Sequence, residues 1–249
     1  MTSARSTSSA SPESLELSRF VSQHCWILHR RPWRESSLLL ELFSLEHGRV
    51  GLVARGLRAE RSPWRGLGEP FQPLEAGWTR RGELGSLTAL EAAGARVGLI
   101  GRALWCGLYA NELILSLIGR DEPVPALLAA YAELLERLPD DRQQGDALRR
   151  FELALLDGLG VAPDFALAAG HGEPIHPDGH YRLEPESGFV PVSASGRGVY
   201  SGRAILELAG VGASDADCRR QGRDITRTLI DHQLGGRILK TRELFRSIR

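Results

Sequence analysis

A short stretch rich in glycine and proline holds the residues most suited to metal chemistry. In HGEPIHPDGH, Glu173 and Asp178 stand among His171, His176 and His180. Imidazole and carboxylate groups both bind Zn²⁺, so a metal-dependent enzyme is one interpretation of this stretch. The histidine spacings of five and four residues fit no closed ligand set, and histidines in such loops are commonly solvated. We therefore predict no metal and no cofactor, and keep the metal-dependent enzyme as an alternative.

Motifs for nucleophilic or nucleotide chemistry are absent from the sequence. It contains no GxSxG, no HExxH, no Walker loop and no GxGxxG after a predicted strand. The acidic pair Asp140–Asp141 lies in a polar loop, where solvation is the ordinary role. Cys25, Cys106 and Cys218 are far apart and show no paired spacing, which fits a reducing cytosol. We predict a protein without catalytic activity.

Arginines and tryptophans are interleaved in the first third of the chain. Single-stranded nucleic acid binds to a positive groove with aromatic side chains, because every base has a face that can stack. Trp64, beside Pro63 and Arg65 in a polar loop, is a better stacking candidate than Trp33, although tryptophans in strand-rich regions more often fill the core. The candidate DNA-binding residues are Arg30, Arg31, Arg34, Arg55, Arg58, Arg61, Trp64 and Arg65.

The net charge is zero, but the charges are unevenly distributed. Residues 24–81 carry ten arginines against six glutamates, and residues 217–249 carry eight arginines and one lysine against four acids. Residues 107–165 reverse this balance, with eleven acids against five arginines. Two basic ends around an acidic centre suggest surfaces that face phosphates, although scattered surface charge explains the same counts.

The C-terminal stretch LGGRILKTRELF alternates cations with apolar residues. We expect the apolar residues Leu239, Leu244 and Phe245 to pack inward. The cations are then expected to face outward as a candidate second DNA surface, with a purely structural role as the alternative. These cations are Arg237, Lys240 and Arg242.

Two adjacent arginines lie in the predicted helix DALRRFELALLDGLG. Arg149 and Arg150 stand off its apolar face, where they could hold a carboxylate-ended peptide through charge-assisted hydrogen bonds. The alternative is an ion pair within the helix, because Glu152 follows Arg149 at i,i+3.

The spacing of apolar and turn residues predicts an α+β fold. Five short segments within about 70 residues read as strands of a small barrel, for which the OB-fold is the leading candidate. They are HCWILHRR, SSLLLELFS, VGLVARGLR, PFQPLEAGWTRR and LGSLTALEA. Apolar residues then recur at three- and four-residue intervals through three consecutive segments, which indicates a helical bundle. Pro32 is expected to end the first strand, and Gly235 the last long helix; the expected helix caps are Asp146, Ser201 and Ser214.

These patterns divide the chain into parts. Residues 1–20 read as a disordered leader, 21–95 as the OB-fold DNA-binding domain, and 96–249 as a helical domain. Within the last, residues 163–198 form a loop and hairpin insertion. No run reaches about 18 apolar residues, so no membrane span is predicted.

Several of these segments together resemble the RecO family of bacterial recombinational-repair proteins. The resemblance rests on RPWRESSLLLELFSLEHGRVGLVARGLR, PFQPLEAGWTRRGELGSLTALEA, ALRRFELALLDGLGVAPDF and LGGRILKTRELF. It extends from about Cys25 to Phe245, in matching order. Some members carry a four-cysteine zinc site after the third helix, and DFALAAGHGEPIHPDGHYRLEPESGF contains no cysteine, so that site is absent here.

The resemblance implies an N-terminal OB-fold, a helical domain and no known catalytic activity. It implies binding of single- and double-stranded DNA, annealing of complementary strands, and contact with the C-terminal tail of the single-stranded DNA-binding protein SSB. It further implies action with RecR to load RecA onto gapped DNA in the RecFOR pathway, in the cytoplasm at the nucleoid. The alternative is a generic OB-fold nucleic-acid module without a repair partner, RNA-directed modules included.

Overall fold

Five strands in the first third of the chain close into a barrel in the computed structural model, which describes residues 17–170, 172–212 and 215–247. They are β1 (Ser18–Trp33), β2 (Ser37–Ser44), β3 (Gly48–Ala54), β4 (Leu74–Arg80) and β5 (Gly85–Ala92). The order around the barrel is β1-β2-β3-β5-β4, and every pairing is antiparallel except that of β3 with β5. The predicted OB-fold barrel is confirmed.

The middle of the first strand, from Cys25 to Leu28, is buried on both faces because it lies between two cores. Cys25 and Ile27 point into the barrel, where they pack with residues such as Trp78. Trp26 and Leu28 belong instead to the core of the helical part. Side chains of successive strand residues point to opposite faces, so this one strand contributes to both cores.

Among the described residues, six helices and a small sheet follow the barrel. The helices are α1 (Gly101–Leu117), α2 (Pro125–Arg137), α3 (Gln144–Gly158), α4 (Gly202–Leu208), α5 (Ala216–Leu234) and α6 (Lys240–Ser247). Between α3 and α4 lie β6 (His180–Glu184), β7 (Gly188–Val192) and β8 (Val199–Ser201), in the order β7-β6-β8. The predicted hairpin is β6 with β7. The third strand was not predicted, because three residues are too few to show an alternating pattern.

Some element ends differ from the prediction. β1 already begins at Ser18, so residues 18–20 of the predicted leader form strand, and residues 1–16 lie outside the described part. β1 also continues one residue beyond Pro32, which was expected to end it. Asp146 was expected to cap α3 but lies within its first turn.

The later helix ends follow from local side-chain chemistry. Ser201 caps α4 as predicted, because its hydroxyl accepts from the Ala204 N–H at 3.3 Å. Asp215 caps α5 by accepting from two backbone N–H groups, whereas the predicted cap, Ser214, lies outside the described residues. Gly235 ends α5 with a φ of 57°, in the left-handed region that glycine favours.

Arg49 joins the barrel to the first helix. Its guanidinium donates to the carbonyl oxygens of Leu115 and Ile118 at 2.7 and 2.5 Å. Carbonyls at a helix C-terminus lack partners within the helix and carry partial negative charge. Arg49 satisfies both of these carbonyls, so the end of α1 is held on β3.

Asn111 makes a second, buried connection between the barrel and the helices. Its side-chain amide donates to the Leu28 carbonyl oxygen at 2.8 Å and accepts from the Tyr131 hydroxyl at 2.7 Å. The Tyr131 ring also meets the Trp26 ring edge-on, with 6.1 Å between centroids. The Asn111 amide, the Leu28 carbonyl and the Tyr131 hydroxyl thus all have hydrogen-bond partners, as buried polar groups require.

Candidate nucleic-acid and peptide interfaces

The arginines predicted to bind DNA lie on two adjoining segments of the barrel. The Arg58 backbone N–H donates to the Ser36 carbonyl oxygen at 2.9 Å, which fixes the loop after β3 beside the β1–β2 turn. All the predicted arginines of these segments are exposed. They are Arg30, Arg31, Arg34, Arg55, Arg58, Arg61 and Arg65.

Most of these exposed arginines form no ion pair with described residues of the protein, so their charge is available to a ligand. Arg30 forms an ion pair with Glu69 at 2.6 Å, and Arg65 donates to the Glu60 carbonyl oxygen at 3.4 Å. The remaining five form no ion pair with any residue in the described part of the chain. This side of the barrel is therefore a basic face with few internal counter-charges.

Trp64 lies in a groove on that face. The groove has a volume of about 230 Å³, and Arg30 and Arg58 line it together with Trp64. The indole is half-buried and packs on the barrel core, so part of its surface is in contact and part is open. Trp33, at the end of β1, is 37% exposed and does not line this groove. Tertiary structure thus brings one aromatic and two cations of the predicted set together.

A larger cavity of about 920 Å³ lies in the helical part. Its lining comes from α1, α3, α5, α6, β8 and the segment between β7 and β8. Glu152 and Asp224 are its two acidic lining residues. Its seven arginines are Arg102, Arg149, Arg197, Arg220, Arg223, Arg227 and Arg242.

Buried Glu152 organises the inner wall of this cavity. Its carboxylate accepts from the Tyr109 hydroxyl at 2.9 Å and from the Thr226 hydroxyl at 2.8 Å. The Arg149 guanidinium contacts the same carboxylate and the Thr226 hydroxyl. The i,i+3 pairing considered for Arg149 is confirmed, and the same side chain also lines the cavity.

Arg149 is a largely buried cation, 16% exposed, among other cations. Burial lowers its pKa to about 10, and the neighbouring charges of Arg223 and Arg242 act in the same direction. A pKa near this value still leaves Arg149 charged at neutral pH. Its buried Nε has no hydrogen-bond partner in the described part of the chain. An anionic group bound in the cavity would therefore reduce the repulsion among these cations.

Arg150 points elsewhere. Its side chain is 62% exposed and pairs with Glu133 of α2 at 3.1 Å. It does not line the cavity. The structure separates the two adjacent arginines into one cavity residue and one surface ion pair.

The C-terminal segment is bound to the rest of the fold more closely than expected. Glu112 of α1 accepts from the Lys240 and Thr241 N–H groups at 2.7 and 2.9 Å. The Arg237 guanidinium donates to the Ser116 carbonyl oxygen at 2.6 Å. Lys240 is exposed and forms no ion pair with any described residue. These contacts hold the start of α6 on α1.

The expectation that Arg242 faces outward is wrong. It forms an ion pair with Asp231 and lies over the Tyr109 ring at 5.4 Å from the centroid. Leu239 packs inward as predicted, whereas Leu244 is 47% exposed. The Phe245 side chain lies outside the described part of the structure.

Comparison with known proteins matches both parts of the chain to one family. The model described as "Recombination protein O N terminal" matches residues 19–96, and "Recombination protein O C terminal" matches residues 101–243. The chain belongs to the RecO family. Similar curated relatives are the "DNA repair protein RecO" of Alkalilimnicola ehrlichii, at 46% identity over 92% of both chains, and of Halorhodospira halophila, at 44% over 91% and 97%. The protein of that name from Methylococcus capsulatus is 41% identical over 92% of this chain and 95% of its own.

The RecO family matches coincide with the two structural parts. The N-terminal match covers the barrel, and the C-terminal match begins at the first residue of α1 and ends within α6. The names of the family and of these relatives mention no catalytic activity. Among the described helices, none has the length and apolar content needed to cross a membrane.

The arginines of α5 were not among the site residues predicted from the sequence of this RecO family member. At about 100° per residue, Arg219, Arg220, Arg223 and Arg227 fall within about 100° of the helix circumference. Their spacing indicates a basic face on this helix once the helix bounds are known. Arg102 and Arg197 gave no such signal, because only tertiary structure brings them to the same cavity.

The histidines considered for metal binding are spread along a turn and a strand. The His176 backbone N–H donates to the Tyr181 hydroxyl at 2.8 Å, and exposed His180 begins β6. His171 lies outside the described residues. The described residues contain no group of three or more His, Cys, Asp or Glu side chains suited to a metal ion.

Proposed function

We propose that this RecO family chain is a DNA repair and recombination mediator that binds single- and double-stranded DNA and anneals complementary strands. The carrying observation is the basic face of the barrel, which has five exposed arginines without an ion pair to any described residue; one of them, Arg58, lines the Trp64 groove. Guanidinium groups both pair with phosphates and stack on bases, and an exposed indole edge adds a stacking surface. The names of the relatives support a role in DNA repair.

Annealing requires two strands to be held close together despite their repulsion. In the proposed mechanism, the barrel arginines neutralise the backbone of one strand while a second basic surface neutralises the other. The exposed cations near the C-terminus, Arg237 and Lys240 with Arg242 beside them, were the sequence-based candidates for that second surface. Neutralising phosphates releases condensed counterions, so this mechanism makes affinity depend on salt.

Single-strand affinity is expected to fall steeply with salt. If the five unpaired arginines each contact one phosphate, the slope of log affinity against log salt is about −3.5, at about 0.7 per contact. Fluorescence anisotropy of a labelled oligonucleotide over a salt series measures this slope. A slope near zero would contradict the mechanism.

The same titration locates the contacts. Replacing both Arg58 and Arg61 by alanine is expected to reduce the slope by about 1.4. Arg142→Ala with Arg182→Ala is the matched control, since both are exposed arginines outside the barrel. Equal loss of affinity in both double variants would exclude the barrel face as the principal site.

We propose that the inner half of the arginine-lined cavity binds the C-terminal tail of SSB. A peptide that is acidic and ends in apolar residues needs cations beside an apolar notch. Arg149, whose side chain is 16% exposed, supplies the cation, and Cys106, Tyr109 and Leu148 provide apolar surface beside it. A free carboxylate there would gain charge-assisted hydrogen bonds.

Arg149→Ala is expected to weaken binding of an SSB-tail peptide about tenfold or more, from loss of a charge-assisted hydrogen bond. Calorimetric titration measures this, with a thermal melt of each variant to verify folding. Arg149→Lys retains the charge without the planar fork and should lose less. Affinity for naked DNA should stay nearly intact.

Two controls make the assignment specific. Arg150→Ala removes a neighbouring arginine that does not line the cavity, so peptide affinity should remain unchanged. A peptide amidated at its C-terminus should bind weakly to the unmodified protein. Equal loss in the Arg149 and Arg150 variants, or equal loss of peptide and DNA binding, would reject the assignment.

We further propose that the protein works with RecR to load RecA onto gapped DNA, in the cytoplasm at the nucleoid. The support is family membership together with the two interfaces above. RecA loading on SSB-coated gapped DNA, with and without RecR, tests this. Stimulation of naked-strand annealing without any effect of SSB or RecR would favour a generic nucleic-acid module instead.

The remaining alternative is a metal-dependent enzyme that uses His171, His176 and His180. Metal analysis of the purified protein tests it.

A further inference from the structure

The outer side of the helical cavity carries a row of exposed arginines on α5. Arg220 and Arg227 have side chains that are 70% and 55% exposed, and Arg223 between them is also exposed. Arg197 reaches the same cavity from the segment between β7 and β8. These four cations stand at the open side, whereas Arg149 lies at the inner wall.

The acidic residues of the cavity are already engaged by its own walls. Glu152 accepts from Arg149, Tyr109 and Thr226. Asp224 accepts from the Tyr200 hydroxyl at 2.8 Å. The Tyr200 hydroxyl does not neutralise Asp224, whose charge still acts on Arg220, so the four outer arginines share this one carboxylate among the described lining residues.

The outer arginines are also free to exchange partners. Arg223 and Arg197 form no ion pair with any residue that the structure describes. Arg220 pairs with Asp217, and Arg227 pairs with Asp231 at 3.6 Å, both at exposed positions. Exposed ion pairs contribute about 0–1 kcal/mol, so a phosphate can displace these carboxylates at small cost.

The length of the row indicates a polymeric anion. Arg220 and Arg227 are seven residues apart on α5, or about 10 Å along the helix axis. Measured along the axis of a DNA helix, one strand presents a phosphate about every 3.4 Å, so a row parallel to that axis lies beside about three phosphates. Gly198, with a φ of 72° and open space where a Cβ would stand, leaves the opposite rim accessible to a backbone.

We propose that this outer half of the cavity binds the phosphate backbone of the second nucleic-acid strand, and that this strand and an acidic peptide in the inner half exclude each other. The inference rests on the proposed function and gives it a regulatory step. Arg223 borders both halves, since it is close enough to Arg149 to influence that residue electrostatically and also stands in the α5 row. A bound tail would place its own negative charges where the strand's phosphates lie.

The test uses the 249-residue chain and a short labelled oligonucleotide. Arg223→Ser with Arg227→Ser removes the middle and end of the row, and Arg142→Ser with Arg182→Ser is the matched control. The unmodified and control proteins should bind two strands per chain, and the α5 variant one. Loss of two contacts weakens binding of the second strand about 25-fold at about 0.1 M salt, and annealing should slow correspondingly.

Addition of the SSB-tail peptide should release one of the two strands from the unmodified protein and none from the α5 variant. Two strands and an unchanged annealing rate in the α5 variant would overturn the inference, as would loss of peptide affinity alone. If the unmodified protein binds no DNA, the proposed function itself fails. If it binds DNA through the barrel but shows no second strand, only this further inference fails.

Discussion

Replacing Glu152 by alanine is expected to lower the free energy of unfolding by about 3–5 kcal/mol. Glu152 is 3% exposed and accepts from Arg149, Tyr109 and Thr226. The Arg149 side chain is only 16% exposed, so the variant leaves a buried guanidinium without its counter-charge. Urea denaturation, followed by circular dichroism, measures the loss.

Two substitutions test the cause of that loss. Glu133→Ala removes a carboxylate that pairs with both Arg137 and Arg150 but is 42% exposed, so its cost should stay below about 1 kcal/mol. Glu152→Gln keeps the shape and hydrogen-bonding oxygen while removing the charge, and should fall between the two. If Glu152→Ala costs no more than Glu133→Ala, the buried network does not stabilise the fold as described.

The second large effect is expected at the joint between barrel and helices. Gly48 has a φ of 61°, and a Cβ there would overlap the backbone carbonyl of Glu122. Gly48→Ala therefore combines a left-handed backbone, at about 1–2 kcal/mol, with overpacking at about 1–3 kcal/mol. We expect a total loss of about 2–5 kcal/mol in urea denaturation.

Gly56→Ala separates these two contributions. Gly56 has a φ of 70° and no atom within 4 Å of an added Cβ. Its substitution should cost only the backbone contribution, about 1–2 kcal/mol. Equal losses at Gly48 and Gly56 would mean that the turn after α1 yields easily to the added methyl group, and that the joint is less closely packed than the structure shows.

The predicted elements were those that local patterns specify. The barrel strands, the first three helices and the hairpin all lie where apolar spacing and turn residues indicated. Ser201 and Gly235 also act as predicted, because capping depends on atoms within a few residues. β8 and the early start of β1 were missed, since one is too short for a pattern and the other lies in a polar segment.

Arg149 is a residue whose role could be predicted only in part from residue spacing. The sequence supported two readings, an i,i+3 ion pair and a peptide contact, and offered no means to choose. The structure shows the ion pair and also places the side chain in a cavity whose other walls come from distant segments. Thr226, which completes its hydrogen bonding, is 77 residues away in the chain.

The remaining differences between the predicted and the observed positions of arginines come from charged and polar partners that are distant in the sequence. Periodicity identified Arg242 as outward-facing, yet Tyr109, 133 residues away, and Asp231 of α5 draw it into the cavity wall. The α5 arginines were counted as a basic end of the chain, but their assembly with Arg197 depends on how β7 and β8 are placed.

The sequence by itself determined the family, the barrel-then-helices architecture and the segment richest in candidate DNA-binding arginines, because these depend on composition and on contacts between near neighbours. Tertiary structure decided which cations remain available and which are used internally. The physical reason is that the surroundings of a charge are set by every element packed around it. Arg58 and Arg223 are exposed and Arg149 is largely buried; all three carry the same group, and only their neighbours distinguish them.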